Sequence, residues 1–327
     1  MPATSTTDVL LIGAGPTGLY GAYCAGFRGL RTTVVDALPQ PGGQIAALYP
    51  EKEIRDVAGL PGVRGRDFVA ALLEQADEYG PQYLLGQQAV SLARGAGGRP
   101  EVTLADGHVI DAGAVILTAG IGTFTPRRLP AGEEFLGRGL SYFVTDLEAH
   151  ADQDVLVVGG GDSAVDWALA LNPIAKSVTL VHRRSAFRAH AANVTAVTEG
   201  GVRIVTDAEV EALTGDDVLR SAQIRVRGSD APEVFGVDSV IAALGFISDL
   251  GPLAEWGLTA RGRSILVDTR MRTNLDRVYA AGDVTEYEGK VRLMSVGFGE
   301  VATAVNNAAV ALDPELSLFP GHSTENS

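Results

Sequence analysis

The sequence predicts an α/β protein with two Rossmann-like domains, in which the first domain is discontinuous and the second is inserted into it. A strand, a glycine turn, a helix and a second strand follow one another twice along the chain. The same number of residues separates Gly13 from Asp36 in the first copy as Gly159 from His182 in the second. A chain of 327 residues is long enough for two domains, each with its own core.

The individual elements follow from apolar periodicity and from turn residues. Val9–Ile12 and Thr32–Val35 are the expected strands of the first copy, with a helix over Thr17–Arg28 between them. The other expected elements are a helix capped by Asp67 and reaching Tyr79, a hairpin turn at Asp106-Gly107, an apolar strand at Ala114–Leu117, the strand Val155–Val158, the helix Ser163–Leu171, the strand Ser177–Val181, a strand and turn over Val278–Asp283, and a last helix from about Gly299 to Leu312. After Asp313-Pro314 we expect an irregular polar tail.

The bulk composition indicates a globular protein and excludes several classes of function. Hydrophobic residues make up 46% and charged residues 20%, a balance that disordered chains do not have. The net charge of −14 disfavours nucleic acid and anionic membrane surfaces as partners, because both are polyanions. No apolar run approaches the roughly 20 residues that cross a bilayer, and Met1–Asp8 lacks a basic region followed by an apolar stretch. With Cys24 as its single cysteine, the sequence predicts a cytoplasmic protein without an internal disulfide.

The first glycine turn has the spacing of a dinucleotide-binding loop. Gly13, Gly15 and Gly18 occupy the glycine positions of G-x-G-x-x-G between a strand and a helix. The first glycine permits a tight turn, the second lets a pyrophosphate approach the backbone, and the third lets helix and strand pack closely. Asp36 ends the next strand, where a carboxylate can accept hydrogen bonds from ribose hydroxyls. Because glycine turns also occur without a ligand, the prediction depends on all of these features together.

The second glycine turn is a G-x-G-x-x-A variant whose following strand does not end in an acid. That strand ends at His182, and arginines come directly after it. Guanidinium groups bind a 2′-phosphate that a carboxylate would repel, so the sequence predicts NADPH rather than NADH. Arginines after a strand also occur on solvated surfaces, which is the alternative interpretation. The residues expected at this site are Gly159, Gly161, Asp162, Ser163, His182, Arg183, Arg184 and Arg188.

Taken together, these motifs resemble the thioredoxin-reductase-like flavoproteins over nearly the whole chain. The segments that carry the resemblance are Gly13–Gly18, Gly42-Gly43-Gln44, Thr118-Ala119-Gly120, Gly159–Ala164, His182-Arg183-Arg184 and Tyr279–Asp283. In that family the last of these segments places an aspartate on the flavin ribityl chain, a role that the resemblance implies for Asp283. It also implies that residues 1–118 and 247–327 form an FAD-binding domain and that residues 119–246 form an NADPH-binding domain.

The chain departs from thioredoxin reductases at their redox-active cysteine pair. Those enzymes carry C-x-x-C shortly before the second glycine turn, where this chain reads GLSYFVTD from Gly139 to Asp146. The two cysteine positions are held by Phe143 and Asp146. Neither side chain can exchange electrons with a disulfide, so we expect electrons to pass directly to an acceptor outside the chain.

The subgroup without that pair that fits best is the ferredoxin-NADP reductases of thioredoxin-reductase-like fold. Its matching segments are Gly43-Gln44, Tyr49–Lys52, Asp56–Pro61 and Pro320–Thr324. The resemblance implies that Tyr49 stacks on one face of the isoalloxazine and that His322, in the tail, covers the other. The residues that it implies for the FAD site are Thr17, Asp36, Gln44, Val90 through its backbone alone, Phe124, Asp283 and Thr324.

The resemblance also implies a mechanism and partners. NADPH would reduce the flavin, and single electrons would pass to ferredoxin or flavodoxin without an amino-acid acid or base and without a metal. The start of the last helix, near Gly297–Glu300, would direct its positive end at the flavin. Thr118–Gly120 and Ala243–Gly245 are the expected crossings between the domains, whose glycines would allow a rotation. We also expect a homodimer, and the candidates for a basic patch that receives an acidic ferredoxin are Arg127, Arg128 and Arg138.

Two other functions share every motif described above. An NAD(P)H oxidase or a quinone or flavin reductase would pass electrons to a small molecule instead of a protein. A flavin-binding redox sensor would be reduced by NADPH without useful turnover. The lone histidines His108, His150 and His190 show no metal-ligand spacing and are expected to be ordinary surface or core residues.

Overall fold

The fold is that of a computed structural model, which describes residues 4–322 and 324. Residues 1–3, 323 and 325–327 lie outside the described residues, and with them Ser323 of the predicted tail signature. The chain forms two compact units. The first contains the residues up to Ala47, Lys52–Thr123 and the residues from Ser248 onward, and the second contains Leu48–Glu51 and Phe124–Ile247.

The first unit is built on a sheet of seven strands in the order β5 (Gln82–Leu85), β2 (Thr32–Asp36), β1 (Thr4–Ile12), β8 (Val109–Leu117), β7 (Pro100–Leu104) and β6 (Ala89–Arg94), with β21 (Val278–Ala280) beside β8. Val9, Leu10 and Leu11 in its central strand are fully buried, because parallel strands pair with it on both sides and helices cover the sheet. The elements of this part of the chain are β1 (Thr4–Ile12), α1 (Pro16–Phe27), β2 (Thr32–Asp36), α2 (Gly43–Leu48), β3 (Glu53–Ile54), β4 (Val63–Arg64), α3 (Gly65–Asp77), β5 (Gln82–Leu85), β6 (Ala89–Arg94), β7 (Pro100–Leu104) and β8 (Val109–Leu117). The hairpin turn expected at Asp106-Gly107 joins β7 to β8 and is confirmed.

The second unit repeats the strand, turn, helix and strand pattern in a smaller sheet of order β10-β17-β11-β12-β13. A separate antiparallel sheet, β14-β15-β16, belongs to the same unit. The elements of this part of the chain are β9 (Thr123–Pro126), β10 (Leu140–Ser141), β11 (Asp154–Val158), α4 (Asp162–Leu171), β12 (Ser177–Val181), α5 (Ala191–Glu199), β13 (Arg203–Val205), β14 (Ala208–Gly215), β15 (Leu219–Val226), β16 (Glu233–Gly236), β17 (Ser239–Ala242) and β18 (Phe246–Asp249). Strands β9 and β18, which pair with each other, contain two of the four points at which the chain passes between the units, and the other two lie at the ends of Leu48–Glu51.

The chain then returns to the first unit, which contains the longest helix among the described residues. The last elements are β19 (Ala260–Arg261), β20 (Ser264–Leu266), β21 (Val278–Ala280), β22 (Thr285–Glu286) and α6 (Met294–Leu312), while short 3₁₀ turns occupy Ala96–Gly98, Glu133–Phe135, Glu148–His150 and Gly251–Glu255. Small buried residues of α1, such as Ala22 and Ala25, meet Val301 and Ala304 of α6 in one hydrophobic cluster. The starts of α1 and α6 are also close together, because a Cβ at Gly297 of α6 would lie 2.7 Å from the hydroxyl oxygen of Thr17 in α1.

Two helix starts differ from those predicted. Helix α3 begins at Gly65, and its N-cap residue Arg64 makes no side-chain capping bond. The prediction that Asp67 caps this helix is therefore wrong, and Asp67 instead lies in the first turn, where its charge favours the helix dipole. Helix α6 begins at Met294, before the expected Gly299. Glycines lower helix propensity, but a Cβ at Gly297 would come within 2.7 Å of the Thr17 hydroxyl oxygen, so close packing accounts for this glycine inside the helix.

Candidate functional site

In the first glycine turn, neighbouring backbone leaves no room for a side chain at Gly13 or Gly18, whereas the space beside Gly15 is open. A Cβ at Gly13 would collide with the carbonyl of Thr118, and one at Gly18 would collide with the carbonyl of Gly13. A Cβ at Gly15 would meet no atom closer than 3.9 Å. Gly15 is the N-cap of α1 and provides no side-chain cap, so the first-turn amides of this helix receive no bond from a capping side chain. An open space beside uncapped amides is what a bound phosphate needs.

Asp36 lies beside this turn at the end of β2. Its Oδ2 accepts the Ala14 N–H at 2.6 Å, and its Oδ1 accepts the Leu38 N–H at 2.8 Å. Burial raises the pKa of the Asp36 carboxyl, and the two backbone hydrogen bonds act in the opposite direction. Each carboxylate oxygen keeps a second lone pair with which it can accept a bond from a hydroxyl group. The structure therefore brings together Asp36 and the glycine turn, as the sequence predicts.

Thr17, Gly282 and Gly297 come together at the starts of α1 and α6. A Cβ at Gly282 would lie 3.0 Å from the Thr17 hydroxyl oxygen, which also limits the space at Gly297. The neighbouring Asp283 is half-buried, and its carboxylate makes no hydrogen bond within the described part of the chain. Burial raises the pKa of Asp283, while the nearby positive charges of Lys290 and Arg292 lower it. A half-buried carboxylate without a hydrogen-bond donor is a group that a ligand hydroxyl can satisfy.

A buried ion pair that the sequence analysis missed lies under this turn. Glu300 of α6 accepts the Gly282 N–H at 2.7 Å, and the Lys290 ammonium lies 2.5 Å from the same carboxylate. In the sequence, Glu300 is expected only as part of a helix start, and Lys290 falls in a short loop without a recognisable motif. A single Lys and a single Glu ten residues apart give no signal of pairing unless the loop and helix are already in place.

The remaining residues expected at the FAD site are distributed over both units. Val90 is the extra residue in a bulge between β6 and β7, and its carbonyl accepts the Trp256 indole N–H at 3.3 Å. The Gln44 side chain lies against Gly120, where a Cβ would be 3.0 Å from its amide nitrogen. Both belong to the first unit.

Tyr49, Phe124 and the tail residues show contacts of other kinds. Tyr49 belongs to the second unit and packs against its hydrophobic cluster around Val144 and Trp167. Phe124, also in the second unit, meets Phe246 edge-on with ring centres 6.1 Å apart. The exposed His322 meets Phe319 edge-on at 5.1 Å, and Thr324 is exposed. Stacking of Tyr49 and His322 on a flavin stays a prediction.

The second glycine turn has the same division of roles. A Cβ at Gly159 would collide with the carbonyl of Ala243, whereas one at Gly161 would meet nothing within 4 Å. Gly161 is the N-cap of α4 and also lacks a side-chain cap. In the first turn of α4, Asp162 accepts the His190 N–H at 2.8 Å, and Ser163 is exposed. The second turn thus offers the same kind of open, amide-lined space as the first.

His182 and three arginines follow β12 beside this turn. The buried His182 ring stacks on Phe187 with ring centres 5.1 Å apart, and its Nε2 lies 3.2 Å from the Ala186 carbonyl. Burial lowers the pKa of His182, and the nearby positive charges of Arg183, Arg184 and Arg188 lower it further. All three arginines are exposed, and none forms an ion pair within the described residues. An unneutralised positive cluster is the feature that a phosphate would bind.

The positions of the missing cysteine pair have packing roles in this chain. Phe143 stacks on Phe246 at 5.5 Å with an angle of 20° between the rings. Asp146 accepts the Glu148 N–H at 3.0 Å and so stabilises the turn before the second glycine-turn strand. The single cysteine, Cys24, lies in α1, and burial raises the pKa of its thiol to about 12. The prediction that Cys24 packs within the first helix is confirmed.

Comparisons with known proteins agree with this arrangement. The family model of pyridine nucleotide-disulphide oxidoreductases matches residues 7–308. A protein of Salinispora tropica named ferredoxin-NADP reductase is 59% identical over 318 residues, which cover 97% of this chain and 98% of the relative. A protein of the same name from Halalkalibacterium halodurans is 45% identical over 320 residues, covering 97% of each chain.

Solved structures show the same fold. A thioredoxin reductase of T. acidophilum has a TM-score of 0.76 at 25% identity, covering 94% of this chain and 97% of that one. The thioredoxin reductase of Lactococcus lactis has a TM-score of 0.75 at 26% identity, covering 95% of this chain and 100% of that one. Within the described residues, the helices are too short or too polar to cross a membrane. The family model matches most of this chain, and the relatives are 45% to 59% identical to it over nearly its full length. The chain therefore belongs to the pyridine nucleotide-disulphide oxidoreductases.

Proposed function

We propose that this protein is an FAD-containing reductase that transfers electrons between NADPH and ferredoxin or flavodoxin. Its relatives named ferredoxin-NADP reductase, at 45% to 59% identity over nearly the whole chain, support this function. The observation that carries the proposal is the replacement of the cysteine pair by Phe143 and Asp146, both of which have packing or turn roles. A protein of this fold without those cysteines has no route through a disulfide, so the acceptor takes electrons from the cofactor itself.

The first unit is the proposed FAD site. The open space at Gly15, the carboxylate of Asp36 and the unbonded carboxylate of Asp283 would provide the contacts for a pyrophosphate, a ribose and a ribityl chain, respectively. Thr17, Gln44 and the backbone of Val90 complete the proposed contacts in this unit. Bound FAD would supply two-electron and one-electron redox chemistry that amino-acid side chains lack. The chain's own residues bind and orient it.

The second unit is the proposed NADPH site, and Arg183, Arg184 and Arg188 are the proposed ligands of the 2′-phosphate. Their charges are not neutralised by neighbouring acids, and burial keeps the adjacent His182 from adding a charge near neutral pH. Gly161 leaves space for the pyrophosphate at the start of α4. We assign residues 1–118 and 247–327 to FAD binding and residues 119–246 to NADPH binding, and we place the flavin-stacking roles at Tyr49 and His322.

The partner protein is proposed to dock on exposed arginines of the second unit. Arg127, Arg128 and Arg138 are all exposed, although Arg128 lies 3.6 Å from Glu133 and Arg138 donates to the Glu134 carbonyl. On a chain with a net charge of −14, a local basic patch would allow an acidic ferredoxin to approach. We also propose that the protein acts in the cytoplasm as a homodimer.

Acceptor specificity tests the proposed function. The purified protein is expected to contain FAD and to reduce cytochrome c with NADPH much faster when ferredoxin or flavodoxin is present. Turnover should weaken with added salt, because exposed charges are screened. NADPH oxidation with quinone or oxygen, but with neither protein carrier, would assign the chain to the small-molecule reductases or oxidases. Reduction of the bound flavin without turnover with any acceptor would indicate a redox sensor.

A further inference from the structure

Lys290 and Glu300 form an ion pair that is buried beneath the Gly282-Asp283 turn. The Lys290 side chain is 2% exposed and the Glu300 side chain is 4% exposed, and their charged atoms lie 2.5 Å apart. Lys and Glu are almost never fully buried unless they are paired. A pair at this depth therefore needs an explanation beyond chance contact on a surface.

The pair binds both backbone polar groups of Gly282. Glu300 Oε2 accepts the Gly282 N–H at 2.7 Å, and Lys290 Nζ donates to the Gly282 carbonyl at 3.0 Å. The same carbonyl accepts the hydroxyl of Thr285 at 2.7 Å, while Tyr287 donates its hydroxyl to Glu300 Oε1 at 2.6 Å. Gly282 has a φ of +83°, in the left-handed region. The turn is thus held in this conformation from both sides by one buried network.

The network leaves the next side chain free of bonds. The Asp283 carboxylate makes no hydrogen bond within residues 4–322 and 324. It lies close enough to Lys290 and Glu300 for the charge of each to affect its pKa. Its neighbour Gly282, by contrast, has both backbone groups bonded. The direction in which Asp283 leaves the turn is therefore set by the bonds of Gly282 to the ion pair and to Thr285, and not by hydrogen bonds of the Asp283 side chain.

Stability alone is a weak explanation for such a pair. Removing two charges from water costs several kcal/mol per ion by general estimates, and apolar residues of similar volume often stabilise a fold equally well or better. Two apolar side chains could fill this space, but they could not accept the Gly282 N–H or donate to its carbonyl. What the charged pair provides here, and an apolar pair would not, is an acceptor for the Gly282 N–H and a further donor to its carbonyl beside those of Thr285, so that both backbone groups of the turn are held.

We propose that Lys290 and Glu300 are positioning residues that hold the Gly282-Asp283 turn so that Asp283 presents its carboxylate to the ribityl chain of FAD. This inference rests on the proposed function, in which FAD binds at Asp283. Neither side chain touches the cofactor in this scheme. Both act through the backbone of Gly282 and so through Asp283.

A double-mutant cycle on FAD affinity tests this inference. The variants are Lys290→Met, Asp283→Asn and the two combined, with Lys176→Met as the matched control, because Lys176 forms an exposed ion pair with Asp154 in the other unit. FAD release is measured by diluting each purified holoprotein and following the recovery of free-flavin fluorescence. NADPH binding, the unfolding temperature and the visible flavin spectrum are recorded alongside. Glu300→Gln, which keeps the shape of the side chain, serves if Lys290→Met does not fold.

If Lys290 acts through Asp283, Lys290→Met and Asp283→Asn each raise the FAD dissociation constant roughly tenfold or more. The double variant then binds FAD about as weakly as Asp283→Asn alone, since the second change has nothing left to misplace. Lys176→Met should bind FAD as the unaltered protein does. Losses that multiply in the double variant, or an unchanged FAD affinity in both Lys290→Met and Glu300→Gln, would overturn the positioning role. An unaltered protein that binds no FAD would instead refute the proposed function.

Discussion

Replacing Arg183 or Arg184 by alanine is expected to weaken the use of NADPH far more than the use of NADH. Both arginines follow β12 directly, are exposed and form no ion pair within the described residues. Their charges lower the pKa of the adjacent His182, so both guanidinium groups lie near the end of the strand where a 2′-phosphate would be bound. NADH has no 2′-phosphate, and the two nucleotides otherwise make the same contacts.

The size of the effect follows from one charge-assisted contact per arginine. A hydrogen bond to a charged group contributes about 1.5 to 3 kcal/mol, which corresponds to roughly a tenfold to a hundredfold change in affinity. Because these arginines are exposed and water screens them, we expect the lower part of that range. Each single variant should therefore raise the ratio of the NADPH to the NADH Michaelis constant by about tenfold. The effect should shrink with added salt.

Steady-state Michaelis constants for both nucleotides, measured with one fixed acceptor, provide the assay. Arg220→Ala is the matched control, because Arg220 is also an exposed arginine of the second unit but lies on β15, in the separate antiparallel sheet. That control should leave the ratio unchanged. If Arg183→Ala and Arg184→Ala raise both Michaelis constants equally, these arginines do not recognise the 2′-phosphate. An equal response of the control would mean that net charge alone is responsible.

Three other changes test the thiol, two histidines with a lowered pKa, and the tail. Cys24→Ser should retain NADPH-driven flavin reduction, and loss of flavin reduction would contradict this. Alkylating agents should react slowly with the unaltered protein, because burial raises the pKa of Cys24 to about 12 and keeps the thiol protonated. Burial lowers the pKa of His150 and His182, so these histidines bind protons more readily in the unfolded chain than in the folded chain. The unfolding temperature should therefore fall as the pH decreases below about 6.5, the ordinary pKa of histidine. His150→Gln should reduce that dependence, and a flat profile in the unaltered protein would refute the argument. Ending the chain after Pro320 should leave FAD bound and flavin reduction by NADPH equal or faster, and an unchanged flavin spectrum, reduction rate and ferredoxin turnover would exclude a capping role for His322.

Local patterns predict the glycine turns well because the spacing of the glycines between a strand and a helix is visible in the sequence, even where the atoms that exclude a side chain belong to a distant segment, as the Thr118 carbonyl does at Gly13. Gly13 and Gly18 adjoin the strand and helix that they connect, and the repeated spacing predicts the same geometry at Gly159. The comparisons confirm the family and the α/β fold. Both could be predicted because the motifs that indicate them extend over most of the chain.

Features that depend on contacts between distant segments could not be predicted in this way. The sequence predicts a start of α6 at about Gly299, whereas the helix begins at Met294, and the glycine at position 297 is explained only by its close approach to the distant Thr17. The assignment of Leu48–Glu51 to the second unit depends on packing against residues about a hundred positions later. The Lys290 and Glu300 pair requires a folded loop to bring its charges together.

Phe143, at one of the two positions where thioredoxin reductases carry a redox-active cysteine, has a packing role in this chain. Phe143 stacks on Phe246, and Phe246 also meets Phe124 edge-on, so three rings of the second unit form one contiguous group. Phe124 lies on β9 and Phe246 on β18, the two strands in which the chain passes between the units. A pair of cysteines would have to remain accessible to a partner disulfide, whereas aromatic rings gain stability by being covered. Restoring a cysteine at position 143 alone would therefore remove a stacking contact without recreating a disulfide, since position 146 holds an aspartate that stabilises the following turn.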